Sequence, residues 1–424
     1  MFDICLVTTP ILELTDDRLE PPMGYLYLAS YLQEHTSMSV NIYDICGIPE
    51  KDWNFPEAKY YGFSTYTPVY HRVLDIKRMI CNQYPNAKFI AGGAHASALP
   101  SEVYEDFDYV VVGEGEITLA EILTKSLEPD IYIGQPISNL DMLPFPNYDL
   151  INFDSYHRIV GGKRALCIQS SRGCPYRCVF CNSNIMGGHK AMRFRSPDNV
   201  LSEILSLRDK YGDIGLRFQD DMFGGDIYWL RSFTYRVQNL SLIYRAFVRA
   251  NSCANPVFTD LLHQSGCRHI ALGIESGSDI ILKSMKKGQT AAQVKHGLKN
   301  AKESGLVRRI YLIVGFPGET WDTIEETVKL VKETEPDEYM VYPLIIYPGT
   351  PLYDNPDIFG IRNLNRDFKK CWQIYGDGQS EFAYDLENAD RDELQEMKKY
   401  VIRALEEHGS VQARKSKEFG WHEN

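Results

Sequence analysis

The sequence predicts an α/β protein: a doubly wound parallel sheet, then a partial (β/α)6 barrel, then a small helical C-terminal region. Short apolar runs alternate with amphipathic helical patterns in two separate series, as parallel sheets covered by helices require. A proline-rich stretch lies between the two series and interrupts the alternation. We therefore assign residues 1–127 to the first domain, 128–164 to a linker, 165–350 to the barrel and 351–424 to a C-terminal extension.

The first series predicts a doubly wound open sheet, because parallel strands are joined by right-handed crossovers. Ligands of such sheets bind beyond the carboxyl ends of the strands. This chain places Gly92, Gly93, Gly113 and Glu114 there, and we regard them as candidate ligand-binding residues. The predicted strands are Ile4–Thr8, Val40–Asp44, Tyr60–Ser64, Lys88–Gly92 and Tyr109–Val112. The predicted helices include Gly24–Glu34, Val69–Gln83 and Ile117–Ser126.

The segment is predicted to be an ordered linker, most clearly at 143–148, because its prolines break helices. Its prolines are Pro129, Pro136, Pro144 and Pro146.

The second series holds six strand–helix units, whereas a complete eight-unit barrel takes about 250 residues. A six-stranded partial barrel therefore fits the available length. Its predicted strands are Ala165–Ser170, Ile214–Gln219, Tyr244–Arg249, His269–Ile274, Arg309–Val314 and Glu338–Leu344. Its predicted helices are Pro197–Lys210, Tyr228–Asn239, Pro256–Gln264, Ala291–Ser304 and Trp321–Lys332. One clear amphipathic helix, Arg391–Glu407, follows in the C-terminal extension.

Composition indicates a soluble cytoplasmic protein, with 44% hydrophobic and 24% charged residues. No run is long and apolar enough to span a bilayer, and the start of the chain reads as a strand rather than a signal peptide. The formal net charge of −12 argues against a large basic surface for phosphate backbones. We expect a small-molecule substrate and neither a nucleic-acid nor a membrane partner.

Three of the ten cysteines are clustered, with the spacing Cys-x3-Cys-x2-Cys at Cys174, Cys178 and Cys181. They follow the first barrel strand, at the face where such barrels place their chemistry. A cubane iron–sulfur cluster normally takes four thiolates, so three would leave one iron open for a cosubstrate. The alternative is a structural zinc site with His189 as fourth ligand, although such sites usually have a second cysteine pair.

Further motifs follow the cysteines, and together they resemble the radical S-adenosylmethionine (radical SAM) superfamily. The first domain resembles the cobalamin-binding domain that precedes many such barrels. The barrel motifs lie at 192–197, 218–223, 273–278, 315–320 and 347–353, and those of the first domain at 21–29, 92–96 and 112–116. The resemblance implies a [4Fe–4S] cluster on the three cysteines, S-adenosylmethionine as cosubstrate, and an electron donor such as flavodoxin or ferredoxin. It also implies cleavage of S-adenosylmethionine to a 5′-deoxyadenosyl radical.

The same resemblance implies roles for residues at the barrel mouth, each with a structural alternative. Asp221 is expected to accept a hydrogen bond from the methionine amino group, or else to cap a helix, and it is preferred to Asp220 for this role. Arg249 is expected to bind the methionine carboxylate, the alternative being an ordinary salt bridge. The remaining candidates are Phe180 beside the cluster or adenine, Glu275 and Ser276 at the ribose, and Gly315 and Phe316 near the adenine.

Cobalamin binding is favoured because the glycines that would admit the corrin are present. The loop after the second strand has Asp44 but lacks the histidine that ligates cobalt in many such domains. His95 is expected to form a hydrogen bond within its own loop rather than to ligate cobalt. With cobalamin, the expected reaction is methyl transfer to carbon or phosphorus. Without it, the alternative is radical dehydration, epimerisation or rearrangement, with Cys371 as a hydrogen-atom donor for an epimerase.

Two further alternatives remain open. A transfer-RNA methylthiotransferase needs three more clustered cysteines in its first domain, whereas Cys5, Cys46 and Cys81 are far apart in sequence. A non-catalytic cobalamin- or metal-binding sensor would retain the fold without the chemistry, which the intact cysteine loop argues against.

Overall fold

The computed structural model describes residues 1–11, 16–183, 185, 192–368 and 381–412. Among these residues, no helix combines the length and the apolar character that crossing a membrane requires. The predicted His189 ligand and the predicted role of Cys371 lie outside the described residues.

The first domain is a six-stranded, all-parallel sheet with the strand order β2-β1-β3-β4-β5-β6. Connections run in opposite directions on the two sides of β1 and β3, so the sheet has a topological switch point there. Its strands are β1 Phe2–Val7, β2 Val40–Tyr43, β3 Ala58–Ser64, β4 Lys88–Gly92, β5 Tyr109–Val112 and β6 Ile131–Ile133. Its helices are α1 Met23–His35, α2 Tyr70–Gln83, α3 Gly93–Ala98, α4 Pro100–Tyr104 and α5 Glu116–Lys125.

Strand β6 lies within the segment assigned to the linker from sequence, and it pairs in parallel with β5. The first sheet therefore extends past residue 127. Residues 134–158 of the linker form no strand, and Tyr148 ties this segment to both domains. The hydroxyl of Tyr148 lies 2.8 Å from the carbonyl oxygen of Cys167 in the barrel and 3.1 Å from Sδ of Met23 on α1.

The second domain is a curled sheet of seven strands in the order β15-β14-β13-β12-β11-β8-β7. Six strands are parallel, and the short β7 is an antiparallel edge strand. The predicted α/β class with a six-stranded partial barrel is thus confirmed. The strands are β7 Ile159–Val160, β8 Lys163–Ile168, β11 Gly215–Phe218, β12 Tyr244–Val248, β13 Cys267–Glu275, β14 Val307–Val314 and β15 Glu338–Pro343, with β9 Ser171–Arg172 and β10 Arg193–Phe194 forming a small ribbon at the mouth.

Seven helices of the described chain connect the barrel strands, and local capping explains where several begin. The Ser196 hydroxyl caps α6, and reciprocal capping boxes start α11 at Thr290 and α12 at Thr320. The helices are α6 Pro197–Tyr211, α7 Ile227–Val237, α8 Ala250–Cys253, α9 Pro256–Gln264, α10 Asp279–Ser284, α11 Ala291–Glu303 and α12 Trp321–Thr334.

The described C-terminal residues pack against the barrel. They form α13 Pro351–Asp354, the ribbon β16 Ile361–Arg362 with β17 Asp385–Leu386, and α14 Arg391–Glu407. Helix α14 contacts α12 and β15. One hydrophobic core runs from the α1 and α5 face of the first sheet into the barrel, and a second fills the opposite face of the first sheet against α2. The shared core fixes the first sheet against the barrel mouth.

Candidate functional site

The cysteine loop follows β8 at the carboxyl end of the barrel, and all three of its thiols are free. Cys178 is buried, whereas Cys174 and Cys181 are half-buried. The backbone N–H of Val179 donates to the carbonyl of Met285 at 3.1 Å, which holds the loop against the barrel. Burial raises the pKa of the Cys174 and Cys181 thiols, and the negative charge of Asp221 raises both pKa values further. The loop thus presents three soft sulfur donors beside one carboxylate.

This donor set suits an iron–sulfur cluster. Thiolates are the ligands of such clusters, and a cubane distributes them over separate irons rather than gathering them at one point. Within the described ranges, no three His, Cys, Asp or Glu side chains converge on a position for a single metal ion. Neither the three cysteines of this loop nor Cys5, Cys46 and Cys81 of the first domain form such a single-ion site.

Two adjacent carboxylates after β11 point to different surroundings. Asp220 is buried and accepts hydrogen bonds from the Ser170 hydroxyl at 2.7 Å and the Ser171 hydroxyl at 2.5 Å. Burial raises its pKa to about 6, against those hydrogen bonds. Asp221 instead lines the cavity described below. Enclosure raises its pKa, and the backbone N–H of Gly173 opposes this. Asp220 therefore anchors the start of the cysteine loop, and Asp221 faces the open space.

Arg249 is buried at the end of β12 and lies flat over a residue of the cysteine loop. Its guanidinium carbon is 3.5 Å from the ring centroid of Tyr176, the stacked geometry of a cation–π contact. It donates to Asn251 Oδ1 at 3.2 Å and to the carbonyl of Lys287. The Asn251 amide in turn donates to the Tyr176 hydroxyl at 3.0 Å. The guanidinium is thus oriented by the loop that it faces.

Glu275 ends β13 in a left-handed conformation, with φ of 64°, which a glutamate adopts only under constraint. Its carboxylate accepts from the buried Lys287 ammonium at 2.7 Å. That ammonium also lies 5.8 Å from the ring centroid of the half-buried Phe180. Ser276 has a different environment: it is fully buried, and its hydroxyl lies 3.2 Å from that of Thr327 on α12. The structure brings Glu275 and Phe180 together through Lys287 but directs Ser276 towards the outer helix.

The turn after β14 is tied to the C-terminal region. Gly315 has φ of 88°, and its carbonyl accepts from the Tyr384 hydroxyl at 2.7 Å. Its N–H donates to the fully buried Glu319 carboxylate at 2.5 Å. Phe316 is buried in the barrel core. Burial raises the pKa of Glu319 to about 8, although hydrogen bonds from Gly315 and Phe316 act in the opposite direction.

A cavity of about 350 Å³ lies between the carboxyl edge of the first sheet and the cysteine loop. Strands β3, β4 and β5 and helix α1 supply one wall, which includes five of the glycines that follow or start these elements. Gln169, Arg172, Gly173, Ser183, Gln219 and Asp221 supply part of the barrel wall. The glycines are Gly24, Gly92, Gly93, Gly113 and Gly115. The glycine-bearing edge of the first sheet and the cysteine loop therefore border the same cavity.

The glycines leave room for a flat, bulky ligand. A Cβ at Gly24 would meet no atom within 4 Å, so any side chain there would project into the cavity. Gly92 also has no close neighbour at its Cβ position, the nearest atom being 3.7 Å away. Gly93 differs, since its φ is 89° and a Cβ would lie 2.8 Å from the Ser64 hydroxyl. Gly93 is thus required for the chain to turn, whereas Gly24 and Gly92 leave space in the cavity that a side chain would occupy.

Glu114 lines the cavity but is paired with arginines of the β9–β10 ribbon. It contacts Arg193 directly, and Arg172 lies 3.4 Å away and also pairs with Glu116 at 2.7 Å. Burial alone would raise the pKa of Glu114, but the Arg193 hydrogen bond and both arginine charges outweigh it and lower that pKa. The carboxylate therefore joins the two domains at the edge of the cavity.

The loop after β2 has an internally satisfied aspartate. Asp44 accepts from Thr8 at 2.9 Å, Arg18 at 2.9 Å and Tyr156 at 2.5 Å. His95 is fully buried, and its Nδ1 lies 3.1 Å from the hydroxyl of Thr67, which follows β3, so its partner lies on the neighbouring connection rather than in its own loop. Burial lowers the pKa of His95 to about 4, so it is neutral near pH 7.

Comparison with protein families identifies both halves. Residues 168–331 match the model of the radical SAM superfamily, and residues 15–123 match that of the B12 binding domain. An uncharacterized methyltransferase, PH0819, of Pyrococcus horikoshii is 30% identical over 366 residues, which are 79% of this chain and 78% of that protein. The chain belongs to the radical SAM superfamily. The predicted superfamily, its B12-binding domain and an enzyme of the methyltransferase type are confirmed.

Two other comparisons extend this result for the radical SAM protein. The cytidylyl-2-hydroxyethylphosphonate methyltransferase of Streptomyces wedmorensis is 27% identical, over 62% of this chain and 59% of that protein. The solved structure of the radical S-adenosylmethionine methyltransferase TsrM from Kitasatospora setae, with tryptophan substrate and a SAM analog bound, has a TM-score of 0.68. It is 17% identical and covers 85% of this chain and 77% of TsrM, so it shows the fold alone. The expected cofactors, a [4Fe–4S] cluster, S-adenosylmethionine and cobalamin, agree with this membership.

Several residues at the site were not found from the sequence of this radical SAM protein. Tyr176 and Lys287 orient Arg249 and Glu275, and Gly24 thins the cavity wall. Gly24 alone had a signal, because it lies in the stretch that resembles the cobalamin-binding domain. Tyr176 and Lys287 act through partners far away in sequence, and nothing in their local pattern marks them.

Proposed function

We propose that the protein is a cobalamin-dependent radical SAM methyltransferase that acts on carbon or phosphorus of a small molecule. The supporting observation is that the three-cysteine loop and the glycine-lined edge of the first sheet border one cavity. When bound, the cluster supplies a reducing electron and the cobalamin a transferable methyl group.

The residues of the chain have distinct tasks in this proposal. Cys174, Cys178 and Cys181 hold the cluster. Arg249, kept flat by Tyr176, binds the methionine carboxylate of S-adenosylmethionine through its planar fork of N–H donors. Asp221 accepts a hydrogen bond from the methionine amino group at the cavity edge.

The remaining polar residues shape the site. The Glu275–Lys287 pair presents a buried carboxylate for the ribose hydroxyls. Glu114, Arg172 and Arg193 clamp the two domains and restrict the entry of water to the cavity. The absence of a histidine after Asp44 and the burial of His95 favour a cobalamin without a protein ligand to cobalt.

The test uses full-length protein, reconstituted anaerobically with iron, sulfide and hydroxocobalamin. We expect one corrinoid per chain. We also expect 5′-deoxyadenosine to form when the cluster is reduced in the presence of S-adenosylmethionine. Cys178→Ala should lose iron and 5′-deoxyadenosine, whereas Cys81→Ala, at an exposed cysteine of α2, serves as the matched control. Cleavage without corrinoid binding would favour the dehydratase, epimerase or rearrangement alternative. Corrinoid binding without cleavage would favour the sensor.

A further inference from the structure

The cysteine loop has a side that faces solvent as well as a side that faces the cavity. Gly173 and Ser183, near its two ends, line the cavity, whereas Arg177 does not. Arg177 directly precedes Cys178 and is exposed. The loop that would hold the cluster can therefore be approached from outside without passing through the cavity.

The end of α10 packs against this loop and adds two more cations beside it. The carbonyl of Met285 accepts from the backbone N–H of Val179 at 3.1 Å. Lys286 follows Met285 directly, and Lys283 precedes it by two residues; both lysines are exposed. Three positive side chains thus belong to the cysteine loop or to the turn that contacts it.

An exposed apolar side chain accompanies these cations. Ile280 keeps 69% of its surface exposed and lies three residues before Lys283, hence on the same face of α10. An apolar contact surrounded by charged groups is the usual composition of a protein–protein interface, with its apolar centre and polar rim. We call Arg177, Ile280, Lys283 and Lys286 the loop-side surface.

The cations of the loop-side surface have no counter-charge. Among the residues that the structure describes, the side chains of Arg177, Lys283 and Lys286 form neither an ion pair nor a hydrogen bond. The chain has 57 acidic and 45 basic residues, so carboxylates are in excess. Several exposed lysines elsewhere do have such partners, as in the pairs Lys59–Asp3, Lys88–Asp108 and Lys125–Glu121. The loop-side surface is therefore a local positive patch on an acidic protein.

The backbone at Lys286 supports a role for its side chain. Its φ is 51°, in the left-handed region that favours glycine. Its N–H donates to the carbonyl of Lys283 at 3.0 Å, and the N–H of Lys287 donates to that of Leu282 at 3.0 Å. These two bonds close α10 as a Schellman motif does. A lysine here costs the fold conformational energy that glycine would not, which favours a contribution of the lysine elsewhere.

The proposed chemistry needs an electron from outside the chain, and this position suits its delivery. Electron-transfer proteins bind each other through small, short-lived interfaces, and complementary charge accelerates their encounter. The loop-side surface adjoins the cluster-binding loop and leaves the cavity free. A donor bound there would not compete with the substrate.

We propose that the loop-side surface docks an acidic flavodoxin, with Arg177, Lys283 and Lys286 facing its carboxylates and Ile280 facing the apolar ring edge of its flavin. The proposal rests on the proposed function and deepens it by naming the partner and its place. One electron leaves the anionic reduced flavin, which becomes neutral, and enters the cluster, whose charge falls by one. No proton moves in this step.

The experiment measures binding of an oxidised, acidic flavodoxin to the full-length reconstituted protein by calorimetric titration, without turnover. Lys283→Glu combined with Lys286→Glu should raise the Kd about tenfold or more, because two attractive charges become repulsive. Raising the ionic strength from about 0.05 M to about 0.5 M should remove most of this difference, since exposed charges are then screened. Lys51→Glu combined with Lys299→Glu makes the same change of charge in the first domain and on α11. This matched control should bind as tightly as wild type.

Two more variants keep the binding test decisive. Should Lys286→Glu fold poorly, Lys286→Gly suits the left-handed turn and removes the charge, and with Lys283→Gln it should raise the Kd about threefold. Arg177→Gln should also weaken binding, and it is judged by binding alone because it lies in the cysteine loop.

Formation of 5′-deoxyadenosine separates failure of the docking surface from failure of the proposed function. With dithionite as reductant, the variant with Lys283→Glu and Lys286→Glu should form as much as wild type, whereas with reduced flavodoxin it should form less. If wild type forms none with dithionite, the proposed function fails, and flavodoxin binding is still measured independently. Equal binding of flavodoxin by wild type and this variant would overturn the docking surface even where cleavage occurs.

Two other partners are tested in the same titration. Tighter binding of an acidic ferredoxin than of flavodoxin, lost in the variant with both lysines reversed, would assign the surface to that carrier instead. Binding of transfer RNA that is lost in the same variant, without binding of flavodoxin, would assign it to nucleic acid. Either result overturns the proposal.

Discussion

Glu319 offers the most direct test of the structure, because its burial makes stability depend on pH. The carboxyl group is fully buried behind the turn at Gly315, and its Oε1 has no hydrogen-bond partner among the described residues. Burial raises its pKa from 4.5 to about 8. At about 1.4 kcal/mol per pKa unit, this difference corresponds to about 5 kcal/mol.

The sign follows from the direction of that shift. Between pH 4.5 and 8 the folded protein retains a proton that the unfolded chain has lost. The stabilising contribution is therefore complete below about pH 4.5 and is lost as the pH rises through about 8. Glu319→Gln keeps the size of the group but cannot ionise. We expect its free energy of unfolding to fall less steeply with pH than that of wild type.

The assay is urea unfolding, followed by tryptophan fluorescence at pH 5, 6, 7 and 8. The free energy of unfolding of wild type minus that of Glu319→Gln should fall by about 1.4 kcal/mol per pH unit over the middle of this range. Glu303→Gln, at an exposed position of α11, is the control and should parallel wild type. Equal pH dependence of wild type and Glu319→Gln would refute the reasoning, since Glu319 would then ionise normally in the folded state.

Three further substitutions test the site. Gly24→Trp should weaken hydroxocobalamin binding at least tenfold, about 1.4 kcal/mol, by filling the cavity, whereas Gly24→Ala should retain it, as absorbance titration would record. Arg249→Lys should raise the KM for S-adenosylmethionine about tenfold with little change in kcat, because the lysine lacks the planar fork stacked on Tyr176. Gly315→Ala should lower stability by about 1–3 kcal/mol, since φ is 88° and its Cβ would lie 2.4 Å from the Phe382 ring. Thermal unfolding measures this loss, and an unchanged melting temperature would contradict it.

Hydrophobic periodicity predicted the regular elements well, because most strands are buried on both faces and most helices have one apolar stripe. The predicted strand at Lys88–Gly92 and the predicted helices Pro256–Gln264 and Arg391–Glu407 match the structure at both ends. Short elements were missed. Strand β6 has three residues between prolines, and α3 and α4 are helices of six and five residues that are separated by Leu99, with Pro100 starting α4. Elements of this length are fixed by their neighbours and carry no period of their own.

The position of the cysteine loop and of the glycine-bearing sheet edge beside the cavity was also predictable, since spacing and position after a strand are local properties. Which of two adjacent carboxylates faces the cavity was harder to derive. Asp220 and Asp221 both follow β11, and only the hydrogen bonds from Ser170 and Ser171 identify Asp220 as the anchoring residue. The sequence contained the residues of this arrangement but not the direction in which each side chain points.

Glu114 shows why a site between two domains exceeds what one sequence pattern can predict. It stands in a glycine-rich loop at the edge of the cavity, yet its partners are Arg172 and Arg193, on the barrel ribbon that brackets the cysteine loop. Because Arg172 belongs to β9 and Gly173 follows it directly, the ion pair fixes the start of the cysteine loop against the cavity. Loss of the Glu114 charge would therefore loosen the cysteine loop and the edge of the first sheet together. The two halves of the site thus share one electrostatic contact, so the distance between them is set by the fold before any ligand binds.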